Sequence, residues 1–380
     1  MVKFITIIPI LVLSSMMLRI SNAMSLLPGK LLFKNAVVGG AVVASGAAIA
    51  ATIAYNKSQQ DNEYNIYKPV AKSLNGKNIL ITGGSSGLGL ESAKRLALAG
   101  ATVIVTARSD AKGASAVEQI GSYLKDNGSN NVNGILGTDD QSISYALVDF
   151  DDLQSIKDQI TGSSTNWKDV PVIDVLLNNA GCMALPTRQV TVDGLEKQMQ
   201  SNHLGHFLLT TLLASSGRLS TSARIINVSS TAHTMAKKTG MDWDYVWKAE
   251  SGYKPWRSYG QSKLANIHFT TELQRRVDAA GLMWKVSSLH PGVVNTDLWR
   301  HLPSPVSKAL SVFIKTVEQG ASTQVFLASG AEEQDVRAKY FDLCKPVELA
   351  DYATNEKDAA RLWKESEELT GVEFDLTKLM

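Results

Sequence analysis

The chain has 380 residues, 44% hydrophobic and 19% charged, enough to bury a sizeable core in one large or two ordinary domains. A formal charge of +2, with no basic run interleaved with aromatics, argues against nucleic acid as a partner. Two cysteines, Cys182 and Cys344, are too few for a disulfide framework and lack metal-ligand spacing, so both are expected to be small buried residues and no metal is expected.

The first 56 residues differ in character from the rest. Lys3 precedes a mostly apolar run over 4–18, and Ser21, Asn22 and Ala23 are small enough for a signal peptidase, so residues 1–23 read as a secretory signal or targeting segment. Residues 36–55 are an uncharged run of Ala, Val, Gly and Ile whose length suits a bilayer crossing. A transmembrane anchor is expected there; the alternative is a long transit peptide, because Ala and Gly contribute little transfer energy. A cleaved signal would leave the start of that run in the lumen, whereas Lys30 and Lys34 prefer the cytosol, so orientation stays open. Residues 56–76 read as a linker and 77–380 as the folded domain, with sequons at Asn56 and Asn127 that would report topology.

Residues 78–81 form a short apolar strand that enters a turn with Gly83, Gly87 and Gly89, followed by a helix expected over 91–99. Glycine lets the chain bend sharply and lets a pyrophosphate approach a helix start, whose free N–H groups and dipole favour an anion. Strand, turn and helix in this order point to a dinucleotide-binding unit, although the spacing is Gly-x-x-x-Gly-x-Gly and the reading needs support elsewhere.

A second strand over 101–107 completes a parallel strand-helix-strand unit. At its end an acidic residue would accept from a free ribose 2′-hydroxyl, whereas an arginine would take a 2′-phosphate. Arg108 therefore favours NADP(H), and Asp110 keeps NAD(H) open. A helix is expected over 115–125, a long loop over 126–141 and a strand over 145–149. Asp149 either meets the adenine ring or caps the helix beginning near Asp152.

The strand from 172 ends in Asn178, Asn179, Ala180 and Gly181, polar and small residues suited to the ligand edge of the sheet. A helix over 198–214 carries Asn202, with His203 and His206 as packing or surface residues rather than metal ligands. The strand from 224 ends in Ser229 and Ser230, and a helix from Tyr259 to about 276 places Tyr259 and Lys263 on one face. A phenol ionises near pH 10, and a fixed cation beside it favours the phenolate. A last strand over 286–290 leads into Pro291, Gly292 and Thr296, and an amphipathic helix is expected over 358–369.

Together these residues resemble the short-chain dehydrogenase/reductase family from about Lys77 to the C-terminus. The resemblance implies an α/β fold, a Rossmann-type doubly wound parallel sheet in a single catalytic domain, here behind an N-terminal hydrophobic anchor region. It implies reversible hydride transfer between a nicotinamide and a carbonyl or alcohol by a tetrad of Asn202, Ser230, Tyr259 and Lys263. Tyr259 would be the acid or base, Ser230 would hold the substrate oxygen, Lys263 would bind the ribose and lower the Tyr259 pKa, and Asn202 would hold a relay water. Gly83, Ser85, Ser86, Gly87, Leu88 and Gly89 would bind cofactor in the turn, and Asn179, Ala180 and Gly181 in the sheet motif. Arg108, Asp149, Tyr259, Lys263, Pro291, Gly292 and Thr296 complete the cofactor set. The segments around Asn202, Ser262 to Asn266, His290 to Val294, Lys339 to Phe341 and Ala360 to Trp363 look like the retinol dehydrogenase branch, typically membrane-associated and NADP(H)-preferring. The same cofactor turn occurs in light-dependent protochlorophyllide reductases, the alternative within the family. A low-turnover NADP(H)-binding membrane scaffold is the alternative outside enzymes. The expected partners are a hydrophobic small-molecule substrate, membrane lipid and, left open, a second copy of the chain as a homodimer. The expected location is the endoplasmic reticulum or another endomembrane, with a plastid reached by the secretory route left open. Trp243, Tyr245, Trp247, Tyr253 and Trp256, between Ser230 and Tyr259, form either an aromatic lid or ordinary core closure.

Overall fold

The computed structural model describes residues 66–128, 142–162, 166–236, 240–292, 294, 315–331 and 335–376. β1 (Asn78–Ile81) buries Ile79, Leu80 and Ile81 completely, because it lies in the middle of a sheet covered on both faces. β2 (Thr102–Ala107) and β4 (Ile173–Asn178) flank it in parallel, pairing Leu80 with Ile104 on one side and Leu176 on the other. With β3 (Ile143–Leu147), β5 (Leu219–Val228), β6 (Lys285–His290), β7 (Tyr340–Asp342) and β8 (Lys345–Val347) the sheet has eight strands among the described residues, in the order β3-β2-β1-β4-β5-β6-β7-β8. Only the β7–β8 pairing is antiparallel.

Side-chain alternation divides the core. Ile79, Ile81, Val103 and Val105 face α1 (Gly87–Leu98), α2 (Asp110–Asp126) and α6 (Val317–Ser329). Leu80, Ile104, Leu176 and Ile225 face α3 (Leu153–Thr161), α4 (Lys197–Met199 continuing to Gly205–Ser215) and α5 (Pro255–Ala279). α4 runs from Lys197–Met199 through a π-helical turn, Gln200–Leu204, into Gly205–Ser215. The chain winds outward from β1 through β2 to β3 and then crosses to β4, so the switch point lies between β1 and β4. The carboxyl ends of those two strands border the crevice where such sheets bind ligands.

Several expected boundaries move. α1 starts at Gly87 rather than 91, since the end of the glycine turn already winds into helix behind an extended Ser86. α2 starts at Asp110 rather than 115, and its Gly113 lies against the Tyr145 ring, where a Cβ would stand 2.3 Å away. α5 starts one turn before Tyr259, at a proline whose missing N–H costs nothing in the first helical turn. β3 ends at Leu147, two residues short of Asp149. Cys182 and Cys344 are half-buried rather than buried.

The C-terminal helix, α7 (Glu356–Thr370), packs on the domain and buries Leu362 and Trp363. The Trp363 ring stacks on Phe374 at 5.1 Å and meets Phe207 edge-on at 5.2 Å. Among the described residues no helix is long and apolar enough to cross a membrane. The expected signal, the 36–55 segment, the linker up to 65, most of the 126–141 loop and Thr296 lie outside the described residues.

Candidate active site

Thr82, the residue after β1, is buried, and its hydroxyl oxygen accepts from the main-chain N–H groups of Asn179 at 2.8 Å and Ala180 at 2.9 Å. The Asn179 side chain donates to Thr82 O at 2.8 Å, so the ends of β1 and β4 are held together from both sides. Above them Gly83 and Gly87 adopt φ of +62° and +53°, which only glycine takes without strain. A Cβ on Gly89 would stand 2.5 Å from Gly83 O and 2.6 Å from Asn179 Nδ2. The 12-residue α1 begins here with no side-chain cap from Ser86 and no acidic residue in its first turn, so its N-terminal dipole faces the turn uncompensated. This cradle fits a phosphate group.

At the next strand end the two serines diverge. The Ser229 hydroxyl donates to the Lys263 carbonyl at 2.7 Å, whereas the Ser230 hydroxyl accepts from Ala232 N at 3.1 Å and lies near enough to the Tyr259 phenol to lower its pKa. α5 places Lys263 Nζ 5.7 Å from the centre of the Tyr259 ring, and the ammonium donates to Val228 O at 2.9 Å. Asn202, inside the π-helical turn of α4, spends its side-chain amide on Cys182 O at 3.0 Å and Ser262 Oγ at 2.9 Å while its Oδ1 accepts from Cys182 N at 2.8 Å. Gly181 completes the cluster, since a Cβ there would stand 2.7 Å from Asn202 Oδ1 and 3.7 Å from Lys263 Nζ. The fold thus brings Asn202, Ser230, Tyr259, Lys263 and Gly181 together beside the glycine turn.

One electrostatic expectation is reversed. Burial pushes the Tyr259 phenol up to about 12, the nearby Ser230 hydroxyl opposing it, and pushes the Lys263 ammonium down to about 8. The Lys263 ammonium is itself directed at the Val228 carbonyl. The phenol is therefore protonated at neutral pH. Burial likewise pushes the Cys182 thiol up to about 12, which leaves it unreactive as a nucleophile.

Arg108, just past β2, is exposed and among the described residues reaches only Asp151, at 3.9 Å. Asp110 accepts from the Tyr145 hydroxyl at 3.0 Å. Asp149 turns back to accept from Asp151 N at 3.1 Å, and the cap of α3 is Asp152 itself, which accepts from Ser155 N. Gly292 has φ of +93° and lies against Lys315, which donates to Pro291 O at 3.5 Å. The aromatic segment divides between its two expected roles. Trp243 and Trp247 donate to Asp358 and Glu365 of α7, and the buried Tyr245 hydroxyl bonds Ser258 at 2.8 Å. Tyr253 donates to Leu185 O at 2.8 Å and Trp256 lies edge-on to Tyr259 at 6.1 Å, so these two flank the cluster.

The family model for short chain dehydrogenases matches residues 77–241. Retinol dehydrogenase 12 of Homo sapiens is 36% identical over 304 residues, 80% of this chain and 89% of its own. The chain belongs to the short-chain dehydrogenase family. Within it the resemblance is to the retinol dehydrogenase branch: retinol dehydrogenase 14 of Mus musculus is 37% identical over 79% of this chain and 87% of its own. The short-chain dehydrogenase TIC 32 A, chloroplastic, of Brassica napus is 35% identical over 77% of this chain and 89% of its own. A crystal structure of an uncharacterised protein from Mycobacterium Paratuberculosis superposes with a TM-score of 0.60 at 32% identity, over 81% of this chain and all of that one. A blue fluorescent protein from a metagenomic library, in complex with NADPH, shares the fold with a TM-score of 0.51 at 22% identity, over 71% of this chain and 96% of that one. As a family member the chain is an oxidoreductase of CH–OH and carbonyl groups.

Three residues of this dehydrogenase's site receive no role from motif reading. Thr82 organises the turn, Ser262 orients Asn202, and His206 bridges Thr82 and Asn202, with ring contacts of 2.8 Å to Thr82 Oγ1 and 3.0 Å to Asn202 O. The available signal is spacing: His206 follows Asn202 by one helical turn, so the two are stacked.

Proposed function

We propose that this chain is an NADP(H)-dependent oxidoreductase interconverting a hydrophobic aldehyde or ketone, of the kind retinal represents, and its alcohol. The observation that carries the reading is the meeting of Ser230, Tyr259 and Lys263 at the sheet edge, next to an uncapped helix N-terminus in a glycine cradle. A bound nicotinamide nucleotide supplies or accepts the hydride; the chain handles the proton. Tyr259, protonated at neutral pH, donates to the nascent alkoxide in reduction and regains its proton through solvent. Ser230 holds the substrate oxygen, Lys263 holds the nucleotide ribose, and Asn202 anchors the relay water.

Gly83, Ser85, Ser86, Gly87, Leu88 and Gly89 take the pyrophosphate, Asp149 lies by the adenine, and Asn179, Ala180, Gly181, Pro291, Gly292 and Thr296 border the nicotinamide half. Arg108 selects the 2′-phosphate. Its loose pairing supports this, as does the commitment of Asp110 to Tyr145. Tyr253 and Trp256 supply apolar surface for a hydrophobic substrate. Residues 36–55 hold the enzyme at an endomembrane where such substrates partition, and a plastid membrane is the second location, since the chain is also similar to a chloroplastic relative.

The test is NADPH consumption by the full-length protein against a panel of hydrophobic aldehydes and ketones, all-trans-retinal included, in the dark and beside Tyr259→Phe. Turnover that disappears in the variant is expected. Tight NADPH binding with no turnover on any carbonyl would overturn the reading.

A further inference from the structure

We propose that His206 is a positioning residue for both halves of the site: its imidazole, held as the neutral Nδ1–H tautomer, locks the main-chain carbonyl of Asn202 to the Thr82 hydroxyl beneath the glycine turn. The inference rests on the reading of the glycine turn and Asn202 given above. It begins with a count of protons at Thr82. The Thr82 hydroxyl oxygen already accepts two main-chain N–H groups, from Asn179 and Ala180, which uses both of its lone pairs. Its one proton goes to His206 Nε2 at 2.8 Å, since the alternative acceptor, Leu177 O, is 3.4 Å away and already takes Thr82 N. Nε2 is therefore the acceptor and Nδ1 carries the hydrogen. The other end of the ring requires the same tautomer, because the Asn202 carbonyl, 3.0 Å from Nδ1, can only accept.

These bonds close a ring. Thr82 holds Asn179 and Ala180; two residues on, Cys182 is held through its N–H and carbonyl by the Asn202 side chain; and Asn202 returns to Thr82 through His206. The enclosed segment contains Gly181, the residue packed against Asn202 Oδ1 and near Lys263 Nζ. Asn202 also lies in the π-helical turn, where regular helical bonding is interrupted and the backbone needs another anchor. His206 is 2% exposed, packs on the Phe150 ring at 4.5 Å, and among the described residues has no second acceptor for an added proton. Burial pushes its pKa down to about 3, in keeping with a ring that stays neutral. A second proton on Nε2 would confront the Thr82 hydroxyl donor, so the bridge tolerates one protonation state only.

The test uses the full-length protein in two parts. Nitrogen NMR of histidine-labelled wild type without cofactor should show one ring as the Nδ1–H tautomer that does not titrate between about pH 5.5 and about pH 8, assigned by its loss in His206→Phe. An Nε2–H tautomer or a titrating ring would overturn the proposal, whatever the catalytic fate of the protein. The second part measures NADPH dissociation by fluorescence, together with kcat. His206→Phe should weaken NADPH binding and lower kcat by about 10-fold each, the scale of one lost buried hydrogen bond. Thr82→Ser, which keeps the hydroxyl, should lose less of both than Thr82→Val, which does not. In the double variant Thr82→Val with His206→Phe, the losses should fall short of the sum of the single ones, because either change opens the same ring. Additive losses, or a folded His206→Phe with unchanged NADPH affinity and kcat, would reduce His206 to packing. Should His206→Phe not fold, assignment by His206→Gln leaves the NMR part decisive. If the carbonyl panel is inactive but the tautomer and the binding losses appear, the substrate reading fails and the positioning role stands.

Discussion

The Ser229 hydroxyl donates to the main-chain carbonyl of Lys263 at 2.7 Å, which removes it from the chemistry and leaves Ser230 as the serine on the Tyr259 phenol. The two alanine variants should therefore separate cleanly. Ser230→Ala is expected to lower kcat/KM by about 100-fold to 10,000-fold, the scale of a positioned acid-base partner, and to cost about 1 kcal/mol of stability through the lost cap on Ala232 N. Ser229→Ala instead removes one buried hydrogen bond to a carbonyl that the helix still satisfies, and should cost about 1 kcal/mol of stability while NADPH still binds. Steady-state kinetics and thermal melts on both variants decide it, and a Ser229→Ala enzyme that is folded but inactive would contradict the assignment.

Arg108 is exposed and among the described residues pairs only with Asp151, at the long distance of 3.9 Å, so that pair contributes little to folding and leaves the guanidinium open to a ligand. Arg108→Ala should weaken NADPH binding by about 10-fold to 100-fold, leave NADH binding within a factor of about 2, and leave the melting temperature unchanged. Equal losses for both nucleotides would place the 2′-phosphate elsewhere.

What was legible in advance follows from what each signal encodes. Continuous apolar strands and their order in the chain marked β1 to β6, because burial on both faces leaves no other composition. The clustering of Ser230, Tyr259 and Lys263 was legible because each stands at a strand end or on one helix face. The π-helical turn around Asn202 was not, since Gln200 to Leu204 have no composition that distinguishes it from ordinary helix. Nor was the direction of the Tyr259 pKa, which depends on enclosure that no spacing records. The aromatic segment defeated a single reading because Trp243 and Trp247 bond to α7, more than a hundred residues later.

The described histidines make the fold sensitive to acid. His203, His206 and His290 are pushed by burial down to about 3, His268 to about 4, and His233 is also lowered. The folded state prefers these rings neutral, whereas the unfolded chain protonates them near pH 6.5. Each contribution is therefore complete above about pH 6.5 and erodes by up to about 1.4 kcal/mol per pH unit as the pH falls towards the folded pKa. Urea midpoints should drop steeply between about pH 6.5 and about pH 5, against a total stability on the order of 5–15 kcal/mol. His268 offers the sharpest check, because neither ring nitrogen has a hydrogen-bond partner among the described residues. His268→Leu should flatten the acid slope by about one proton at little cost at neutral pH. An unchanged slope would mean that His268 is already protonated or solvated.

Gly240 and Asp358 join the aromatic segment to the C-terminal helix. Gly240 has φ of +93°, and a Cβ there would stand 2.2 Å from Asp358 Oδ2. That carboxylate accepts from Met241 N at 3.2 Å through Oδ2 and from Trp243 Nε1 at 3.2 Å through Oδ1. Gly240→Ala therefore combines backbone strain with eviction of the carboxylate from two donors, for a loss of about 2 kcal/mol or more. Asp358→Ala removes the same bonds without the strain, so in combination the two should cost less than their sum. The segment continues through Tyr253 and Trp256 to Tyr259, whereas the glycine cradle lies at the ends of β1 and β4. Asp358→Ala should accordingly raise KM for a bulky hydrophobic carbonyl several-fold while the NADPH dissociation constant stays unchanged. A parallel loss of NADPH affinity would show instead that α7 supports the whole site rather than its substrate side.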